Sequence, residues 1–361
     1  MHKSLYESWG DTMSLRRRVM PHHPIGHFLI ISLFGLILVL AAYGFRMYAD
    51  TKNAIGDTFA QISGRNATAK IKNEKPLSFL LLGTDTGALG RKTKGNADTI
   101  IVVTINPKKK QTTMVSIPRD TLADIKTGSS TPNFHKINSS YLLGGSTVAV
   151  KTVENLINVP IDYYVTVNMG GLSDIVDAVG GIDVYVPFSW DDTEHDAGIF
   201  TKGEAHLDGK RALQFARMRH DDPEGDYGRQ KRQQTVIKAI MKKVLNAGTL
   251  TNYKPLLQTL KGNMQMNLTF DDLVGIGSNS GYRKALQHVK RDQIKGVGAY
   301  INRASYQVTQ TSELQRVSDL LRGQLGKSSQ TVDNAVTHQN ELNTSFDWSS
   351  GYNPTYSIYS Y

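Results

Sequence analysis

Short apolar runs, each closed by glycine, proline or asparagine, alternate along the chain with segments whose apolar residues recur every three to four positions. The short runs predict buried strands, and the longer spacing predicts amphipathic helices. Strands are predicted over 77–82, 97–105, 112–117, 161–167, 181–186 and 293–299, helices over 146–158, 169–179 and 271–276, and an irregular acidic loop over 187–204. A strand–helix–strand succession is typical of α/β proteins, so we expect an αβα sandwich around a central mixed β-sheet.

One apolar segment near the N-terminus is too long for a strand. Residues 25–45 contain no Asp, Glu, Lys or Arg, and as a helix they would span about 30 Å, the thickness of a bilayer's hydrocarbon core. We therefore predict a transmembrane helix. Lys3 and the arginines at 16–18 precede it, which places residues 1–24 in the cytoplasm and the rest of the chain outside the cell. A signal peptide cleaved near residues 42–44 is the alternative.

The segments after this helix differ in composition. Residues 46–76 are polar with scattered apolar positions, which predicts an extracellular stalk. Residues 77–302 contain the predicted strands and helices and form the expected folded domain. Residues 303–361 are rich in Ser, Thr, Gln, Asn, Gly and Tyr. This composition predicts a low-complexity, disordered tail, with a helix over 305–322 as its one regular element.

Charged residues concentrate between residues 214 and 234, around a turn at 223–228 that contains proline and glycine. Apolar positions before and after the turn predict two flanking helices. Arg217, Arg219 and Arg229 enter and leave this turn, so their guanidinium groups can converge on one point. Planar guanidinium groups suit phosphate oxygens better than lysine does. The alternative is a solvated helix–loop–helix laced with surface salt bridges.

Composition narrows the classes of protein without choosing a ligand. Lys and Arg total 42 against 32 Asp and Glu, a net charge of +10 and a pI of about 9.4. This excess is compatible with nucleic acid, anionic lipid or a phosphorylated glycan. The absence of cysteine excludes disulfide scaffolds and thiolate metal sites. The chain lacks nucleotide-binding glycine motifs and the HExxH and GxSxG motifs, which disfavours nucleotide P-loops, zinc proteases and serine hydrolases.

Two acidic residues lie where ligands gather in α/β sheets. Asp85 directly follows the first predicted strand, and Asp98 opens the second. Because two carboxylates together with phosphate oxygens are a usual way to hold Mg²⁺, the pair predicts a metal site. The alternative is that Asp85 caps a turn and Asp98 caps a strand end.

Two further cations belong to the same hypothesis. Arg119 follows the third predicted strand and Pro118, where its simplest partner is the neighbouring Asp120; Lys136 opens the next segment. With the three arginines of the charged stretch they make five cations facing two aspartates, without an obvious nucleophile. This combination predicts phosphoryl transfer, in which positioning and charge neutralisation supply most of the catalysis.

Consecutive motifs resemble the LytR–CpsA–Psr family of Gram-positive cell-wall ligases over residues 77–245. The matching stretches are FLLLGTDT (79–86), NADTIIVVTINPKKKQTTMVSIPRDT (96–121), HKINSSYLLGG (135–145), DYYVTVNMGGLSDIVDAVGGIDVYVP (162–187), LDGKRALQFARMRHDD (207–222) and GDYGRQKRQQ (225–234). The resemblance implies a single-pass protein of the cell membrane with an extracellular catalytic domain over 77–302. Such an enzyme transfers a glycopolymer, such as wall teichoic acid or capsular polysaccharide, from a polyprenyl-pyrophosphate carrier to a peptidoglycan muramic-acid hydroxyl, forming a phosphodiester.

The resemblance also implies roles for individual residues. Asp85 and Asp98 would hold Mg²⁺ (or Mn²⁺) at the pyrophosphate, and the polyprenyl tail would lie in an apolar tunnel between the sheet and the helices. The residues expected to contact the pyrophosphate are Arg119, Lys136, Arg217, Arg219, Arg229 and Gln233. Many members of the family carry Arg where this chain has Asn96, and Arg91 in the same loop is the candidate replacement.

Two other functions fit part of the pattern. A DNA-binding regulator would explain the basic pI, but a membrane span that leaves most of the charge outside the cell argues against a nucleic-acid partner, as does the lack of a helix-turn-helix signature. A pyrophosphatase acting on the same lipid carrier, or a protein that only binds wall polymer, would need the same visible residues. The products formed from a lipid-linked donor and peptidoglycan fragments separate these from a ligase.

Overall fold

The computed structural model describes residue 49 and residues 59–62, 67–85, 95–244, 262–349 and 355–360. The chain divides into two units, Met1–Asp50 and Thr51–Tyr361, and the second contains the central sheet and the helices that pack on it. The predicted transmembrane helix at 25–45 and the cytoplasmic segment 1–24 lie outside the described residues. Within the described ranges no helix combines the length and apolar character that crossing a bilayer requires.

The described elements alternate strands and helices. The strands are β1 (Leu77–Thr84), β2 (Ala97–Asn106), β3 (Gln111–Ser116), β4 (Leu122–Asp124), β5 (Phe134–Lys136), β6 (Tyr163–Asn168), β7 (Ile182–Val186), β8 (Trp190–Asp192), β9 (Gly198–Phe200), β10 (Gly203–Leu207), β11 (Met264–Met266), β12 (Val289–Gln293), β13 (Val297–Ile301) and β14 (Ala304–Val308). The helices are α1 (Thr68–Lys72), α2 (Ser139–Ile157), α3 (Met169–Ala178), α4 (Gly209–Arg217), α5 (Asp226–Val244), α6 (Phe270–Ser278), α7 (Ser280–Gln287), α8 (Thr311–Gln324) and α9 (Ala335–Leu342).

A six-stranded sheet forms the centre of the unit, in the order β11–β6–β1–β2–β3–β12. Strands β1, β2 and β3 form an antiparallel meander, whereas β6 pairs with β1 and β12 pairs with β3 in parallel. The expected α/β fold with a central mixed sheet is therefore confirmed. The single strand predicted over 293–299 is instead the last residue of β12, a connection at 294–296 and the first three residues of β13.

Both faces of the sheet are covered, which explains why its strands read as continuous apolar runs rather than alternating ones. On one face, Leu80 and Val102 pack in a cluster with apolar residues of α2 and α8. On the other face, Phe79 and Val103 pack with residues of α1, α6 and α7. The helices on both sides give the three layers of an αβα sandwich. Because α1 lies within 46–76, part of the predicted stalk belongs to this folded unit.

A smaller cluster beside the sheet supports the charged stretch. Its centre is Trp190, whose ring stacks on Phe200 with centroids 4.4 Å apart and on Phe215 at 5.8 Å. These rings pack with apolar residues of β7, α4 and α5. The stretch 187–204, expected to be an irregular acidic loop, instead forms the β8–β9 hairpin. Trp190 and Phe200 of this hairpin are buried, whereas Asp191 on β8 and Glu194 and Asp196 in the turn are exposed.

The C-terminal region also differs from its expectation as a disordered tail over 303–361. Residues 304–308 form β14, 311–324 form α8 and 335–342 form α9. Phe346 and Tyr356 are buried against Ile301 and Val308, and the Tyr356 amide donates to the Tyr300 carbonyl at 3.0 Å. The helix predicted over 305–322 is present as α8, but the disorder predicted for the rest was wrong, because a few widely spaced apolar residues complete the core of this region.

Tyr356→Leu tests whether this region contributes to stability. The substitution removes an edge-to-face ring contact with Phe346 at 5.2 Å and a 2.7 Å hydrogen bond to Asn340 Oδ1. We expect the free energy of unfolding, measured in denaturant, to fall by about 1–3 kcal/mol. The control is Tyr359→Leu, at a position that is 44% exposed. Equal effects of the two substitutions would contradict the burial of Tyr356.

Candidate active site

A β-bulge between β1 and β2 presents the two predicted metal ligands. Gly83 pairs with Thr99 but the next residue, Thr84, pairs with Ala97, so Asp98 is an extra residue in β2. Bulges of this kind redirect side chains and are common next to active sites. Asp85 follows the end of β1, and its amide lies 3.4 Å from the Asn96 carbonyl. A Cβ at Gly95 would overlap the Asp85 carboxylate, so a larger residue there would displace that carboxylate.

The bulge opens into a polar cleft of about 520 Å³. The cleft is bordered by the ends of β1 and β2, the segment after β3, the strand β5 with the start of α2, and the strand β14. Its lining residues are Asp85, Asn96, Asp98, Arg119, Asp120, His135, Lys136, Asn138, Ser139 and Tyr306. The structure therefore brings together four of the predicted site residues, which are separated by up to about fifty positions in the sequence.

Alternating charges connect the residues of this cleft. Arg119 Nη1 lies 3.0 Å from Asp98 Oδ2, and Arg119 Nε lies 3.6 Å from Asp120 Oδ2. The other oxygen of Asp120 lies 2.9 Å from Lys136 Nζ. Burial lowers the pKa of Arg119, but the two carboxylates outweigh this effect, and the pKa is raised overall. The guanidinium group is thus a fixed positive charge held at the cleft.

The charged turn is shaped by a buried ion pair. Arg232 Nη1 donates to Asp222 Oδ2, and the two side chains are 3% and 2% exposed. Arg232 also donates to the carbonyls of Phe215, at 2.8 Å, and Met218. A Cβ at Gly228 would overlap the Asp222 carboxylate, so the first turn of α5 approaches this pair only with glycine there. Arg232 therefore joins α4, the turn and α5, and its role is structural.

Arg229 carries the connection between the charged turn and the cleft. Its guanidinium is buried, and Nη2 lies 2.6 Å from Asp226 Oδ1. Burial is the largest cause of its lowered pKa; the positive charges of Arg119 and Arg219 act in the same direction, while Asp226 and Asp98 oppose it. Arg229 therefore lies within electrostatic range of Arg119, Asp98 and Arg219. Of the five predicted cations, Arg119 and Lys136 line the cleft, and Arg229 is within electrostatic range of Arg119.

The remaining predicted residues are placed less directly. Arg217 ends α4 and is half-buried, and Gln233 lies one helical turn after Arg229 on the same side of α5. Neither is part of the cleft lining in the described portion of the chain, and the same holds for Arg219. Arg91 lies outside the described residues.

Three residues at the site were not selected from the sequence. Asp120 was interpreted only as a surface partner of Arg119, yet it bridges Arg119 and Lys136. Asp226 precedes Arg229 by three residues, a helical spacing at which opposite charges meet, so the pair could have been recognised. Tyr306 lies at the start of the helix predicted over 305–322 but belongs to strand β14, and the sequence carries no signal that places it at the cleft.

The donor set at the bulge suits a hard cation. Asp85 and Asp98 contribute carboxylate oxygens, and Asn96 Oδ1 is buried without a hydrogen-bond partner among the described residues. Oxygen ligands with room for water and phosphate are typical of Mg²⁺ and Mn²⁺ sites. Across the described ranges there is no cluster of three or more His, Cys, Asp or Glu able to hold a metal. Any cation here would therefore depend on Asn96, water or substrate oxygens for its remaining ligands.

Comparisons with known proteins agree with the motifs. A family model described as the LytR_cpsA_psr family matches residues 41–323. The chain is 42% identical over 298 residues to a polyisoprenyl-teichoic acid–peptidoglycan teichoic acid transferase, TagU, of Enterococcus faecalis, which covers 81% of this chain and 96% of the relative. TagU of Bacillus subtilis, with the same descriptive name, is 39% identical over 303 residues, covering 82% and 95%.

Solved structures share the fold. The crystal structure of Bacillus subtilis TagU aligns with a TM-score of 0.56 at 38% identity, covering 70% of this chain and 98% of that one. Protein gbs0355 of Streptococcus agalactiae aligns with a TM-score of 0.66 at 35% identity, covering 76% and 97%. The residues matched by the family model, 41–323, include all those that line the cleft.

Proposed function

Because this chain belongs to the LytR_cpsA_psr family, we propose that it transfers a glycopolymer from a polyprenyl-pyrophosphate carrier to a muramic-acid hydroxyl of peptidoglycan. The names of the TagU relatives describe transfer of teichoic acid to peptidoglycan, which supports this class of donor and acceptor. The observation that carries the proposal is the cleft itself. Its linked charges, with Arg219 and Arg229 nearby, suit a diphosphate.

In the proposed reaction the acceptor hydroxyl attacks the glycan-proximal phosphorus of the pyrophosphate. A new P–O bond to the muramic acid forms while the bond to the bridging oxygen breaks, and polyprenyl phosphate leaves. Arg119, Arg219 and Arg229 offset the charge on the phosphate oxygens, and Arg217, Lys136 and Gln233 complete the contacts. The proton of the hydroxyl passes to a loop aspartate or to an oxygen of the leaving group.

The proposal includes a divalent cation, Mg²⁺ or Mn²⁺. Asp85, Asp98 and Asn96 would hold it, since their oxygens share one side of the cleft. Such a cation would supply charge neutralisation on the pyrophosphate. The role of Asp98 is shared, because its carboxylate also fixes the orientation of Arg119.

Metal binding can be measured without turnover. We expect Asp85→Ala to remove detectable Mn²⁺ binding and Asn96→Ala to weaken it about tenfold, because each substitution deletes an oxygen donor. Calorimetric titration of Mn²⁺ into the purified protein is the measurement. Asp191→Asn, an exposed carboxylate in the β8–β9 hairpin, is the control. An unchanged affinity in Asp85→Ala would place the cation elsewhere.

We also propose that residues 25–45 anchor the protein in the cell membrane with the catalytic domain extracellular, where peptidoglycan is available. The apolar character of this stretch and the preceding basic residues support this orientation. Protease added to intact cells should digest the chain beyond residue 46. Protection of the whole chain would indicate the opposite orientation. A nucleic-acid partner inside the cell would then again be an alternative.

Transfer itself is tested by product analysis. The purified protein is incubated with a lipid-linked glycan donor and peptidoglycan fragments, and mass spectrometry identifies the products. We expect a glycan joined to muramic acid by a phosphodiester, together with polyprenyl phosphate. Release of glycan phosphate without linkage to muramic acid would identify a pyrophosphatase. Binding of the donor without turnover would identify a polymer-binding protein. Either result would contradict the proposed ligase activity.

A further inference from the structure

A strand from the C-terminal region reaches the cleft. Strand β14 pairs with β13 to form a hairpin, and Gln307 of β14 bridges to Thr121. The Gln307 amide donates to the Asp120 carbonyl at 2.9 Å. This bond holds β14 beside the backbone of Asp120. The carboxylate of Asp120 in turn joins Arg119 to Lys136. The neighbouring side chain, Tyr306, consequently lines the cleft.

Tyr306 contacts Lys136, the one lysine among the described residues that line the cleft. Lys136 Nζ lies 5.5 Å from the centroid of the Tyr306 ring and 2.9 Å from Asp120 Oδ1. The Lys136 side chain is 33% exposed. A lysine has a flexible four-carbon stem, so a single ion pair leaves its ammonium group several accessible positions. An aromatic face within about 6 Å attracts the cation and restricts these positions.

Residues near the C-terminus pack against the β13–β14 hairpin, which contains Tyr306. Phe346 and Tyr356 pack on Ala299 and Val308, on the two strands of the hairpin. These supporting residues lie beyond residue 323, where the match to the family model ends. A segment outside that match thus helps to hold one wall of the cleft.

We propose that Tyr306 is a positioning residue whose ring, together with Asp120, holds the Lys136 ammonium group at the cleft, facing the place of a diphosphate. The inference rests on the proposed function for the identity of the ligand, but the contact between ring and ammonium exists without it. The aromatic face performs this role, so phenylalanine can replace tyrosine and an aliphatic side chain of similar size cannot.

The first test is a double-mutant cycle on the full-length chain, with calorimetric titration of inorganic pyrophosphate. We expect Tyr306→Leu to weaken binding about two- to fivefold, and Tyr306→Phe to bind like the unmodified protein. In a Lys136→Met background, Tyr306→Leu should cause no further loss. A full loss in that background, or an equal loss in Tyr306→Phe, would overturn the proposal. Melting temperatures of all variants show whether the fold is retained.

The second test needs no ligand. Acetic anhydride labels lysine amines in the free protein, and peptide mass spectrometry reports the fraction of Lys136 modified. Because the ring lies over the Lys136 ammonium group and restricts its positions, Tyr306→Leu should raise the labelling of Lys136 about two- to fivefold and Tyr306→Phe should not. Unchanged labelling in Tyr306→Leu overturns the positioning role. If labelling responds but pyrophosphate does not bind any variant, the proposed function fails and the positioning contact stands.

Discussion

Replacing Arg219 with alanine is expected to slow glycopolymer transfer by about 10²–10³-fold while leaving the free energy of unfolding unchanged. The side chain is exposed, so its removal leaves no cavity. It nevertheless lies within electrostatic range of Arg229, whose surroundings include Arg119 and Asp98. Loss of this charge removes stabilisation from the transition state, in which negative charge on the transferred phosphoryl group is redistributed.

The measurement is the initial rate of phosphodiester formation with saturating lipid-linked donor. Arg283→Ala is the matched control, because Arg283 is an exposed arginine on α7 that is remote in sequence from the charged turn. Both variants should unfold at the same denaturant concentration as the unmodified protein. Near-normal transfer by Arg219→Ala would remove Arg219 from the site and weaken the assignment of the charged turn to the pyrophosphate.

Asp222→Ala is expected to cost about 3–5 kcal/mol of unfolding free energy. The substitution leaves the Arg232 guanidinium buried, 3% exposed, without its carboxylate. A charge in that position either remains desolvated or reaches water by opening the junction of α4 and α5. Gly228→Ala should act in the same direction, since its added methyl group would displace the Asp222 carboxylate.

An exposed ion pair in the same turn supplies the control. Lys231 Nζ donates to Glu224 Oε2 at 2.7 Å, but the two side chains are 51% and 54% exposed. Water screens such pairs, so Glu224→Ala should cost less than about 1 kcal/mol. Denaturant titration of both variants measures the contrast. Similar costs for Asp222→Ala and Glu224→Ala would mean that the Arg232 pair is not buried in solution.

The sheet was predictable because its strands carry their own signal. Strands β1 and β2 contain the apolar runs 79–82 and 100–103, since helices cover both faces of the sheet. The turn at Asn106–Lys110 is rich in residues that end strands. Helices α2, α4 and α5 follow from apolar spacing, although α2 begins earlier than predicted, at Ser139, because a kink at Gly144 and Gly145 interrupts its pattern.

The packing of the C-terminal region was not predictable, because hydrogen bonds from polar side chains connect much of it to the rest of the fold. Asn334 caps α9 and also donates to the carbonyls of Asn155 and Leu156 in α2. The Gln339 amide donates to the Tyr359 carbonyl at 2.9 Å. Composition counts such residues as evidence for disorder. Their partners lie up to about 180 positions away in the sequence, so only the folded structure reveals the order.

For the candidate site, the residue types were predictable. The sequence did not show which of these residues have a structural role and which lie near the cleft. Arginines in a charged turn indicate an anion site, but sequence alone did not separate Arg229, within range of the cleft, from Arg232, which is used by the core. Likewise Asp120 read as a surface partner, although it links two cations. A buried charge stabilises the fold, and an accessible charge can contact the ligand. The burial of each side chain depends on elements that are distant in the sequence.

The surplus residue between β1 and β2 has a consequence for how this protein can change. Deleting one position near Asp98 would allow an uninterrupted ladder between Gly83–Thr84 and the opposite strand. The same deletion would turn the carboxylate away from Arg119. We therefore expect the chain to tolerate loss of this bulge as far as its sheet is concerned, but not without loss of the contact between Asp98 and Arg119.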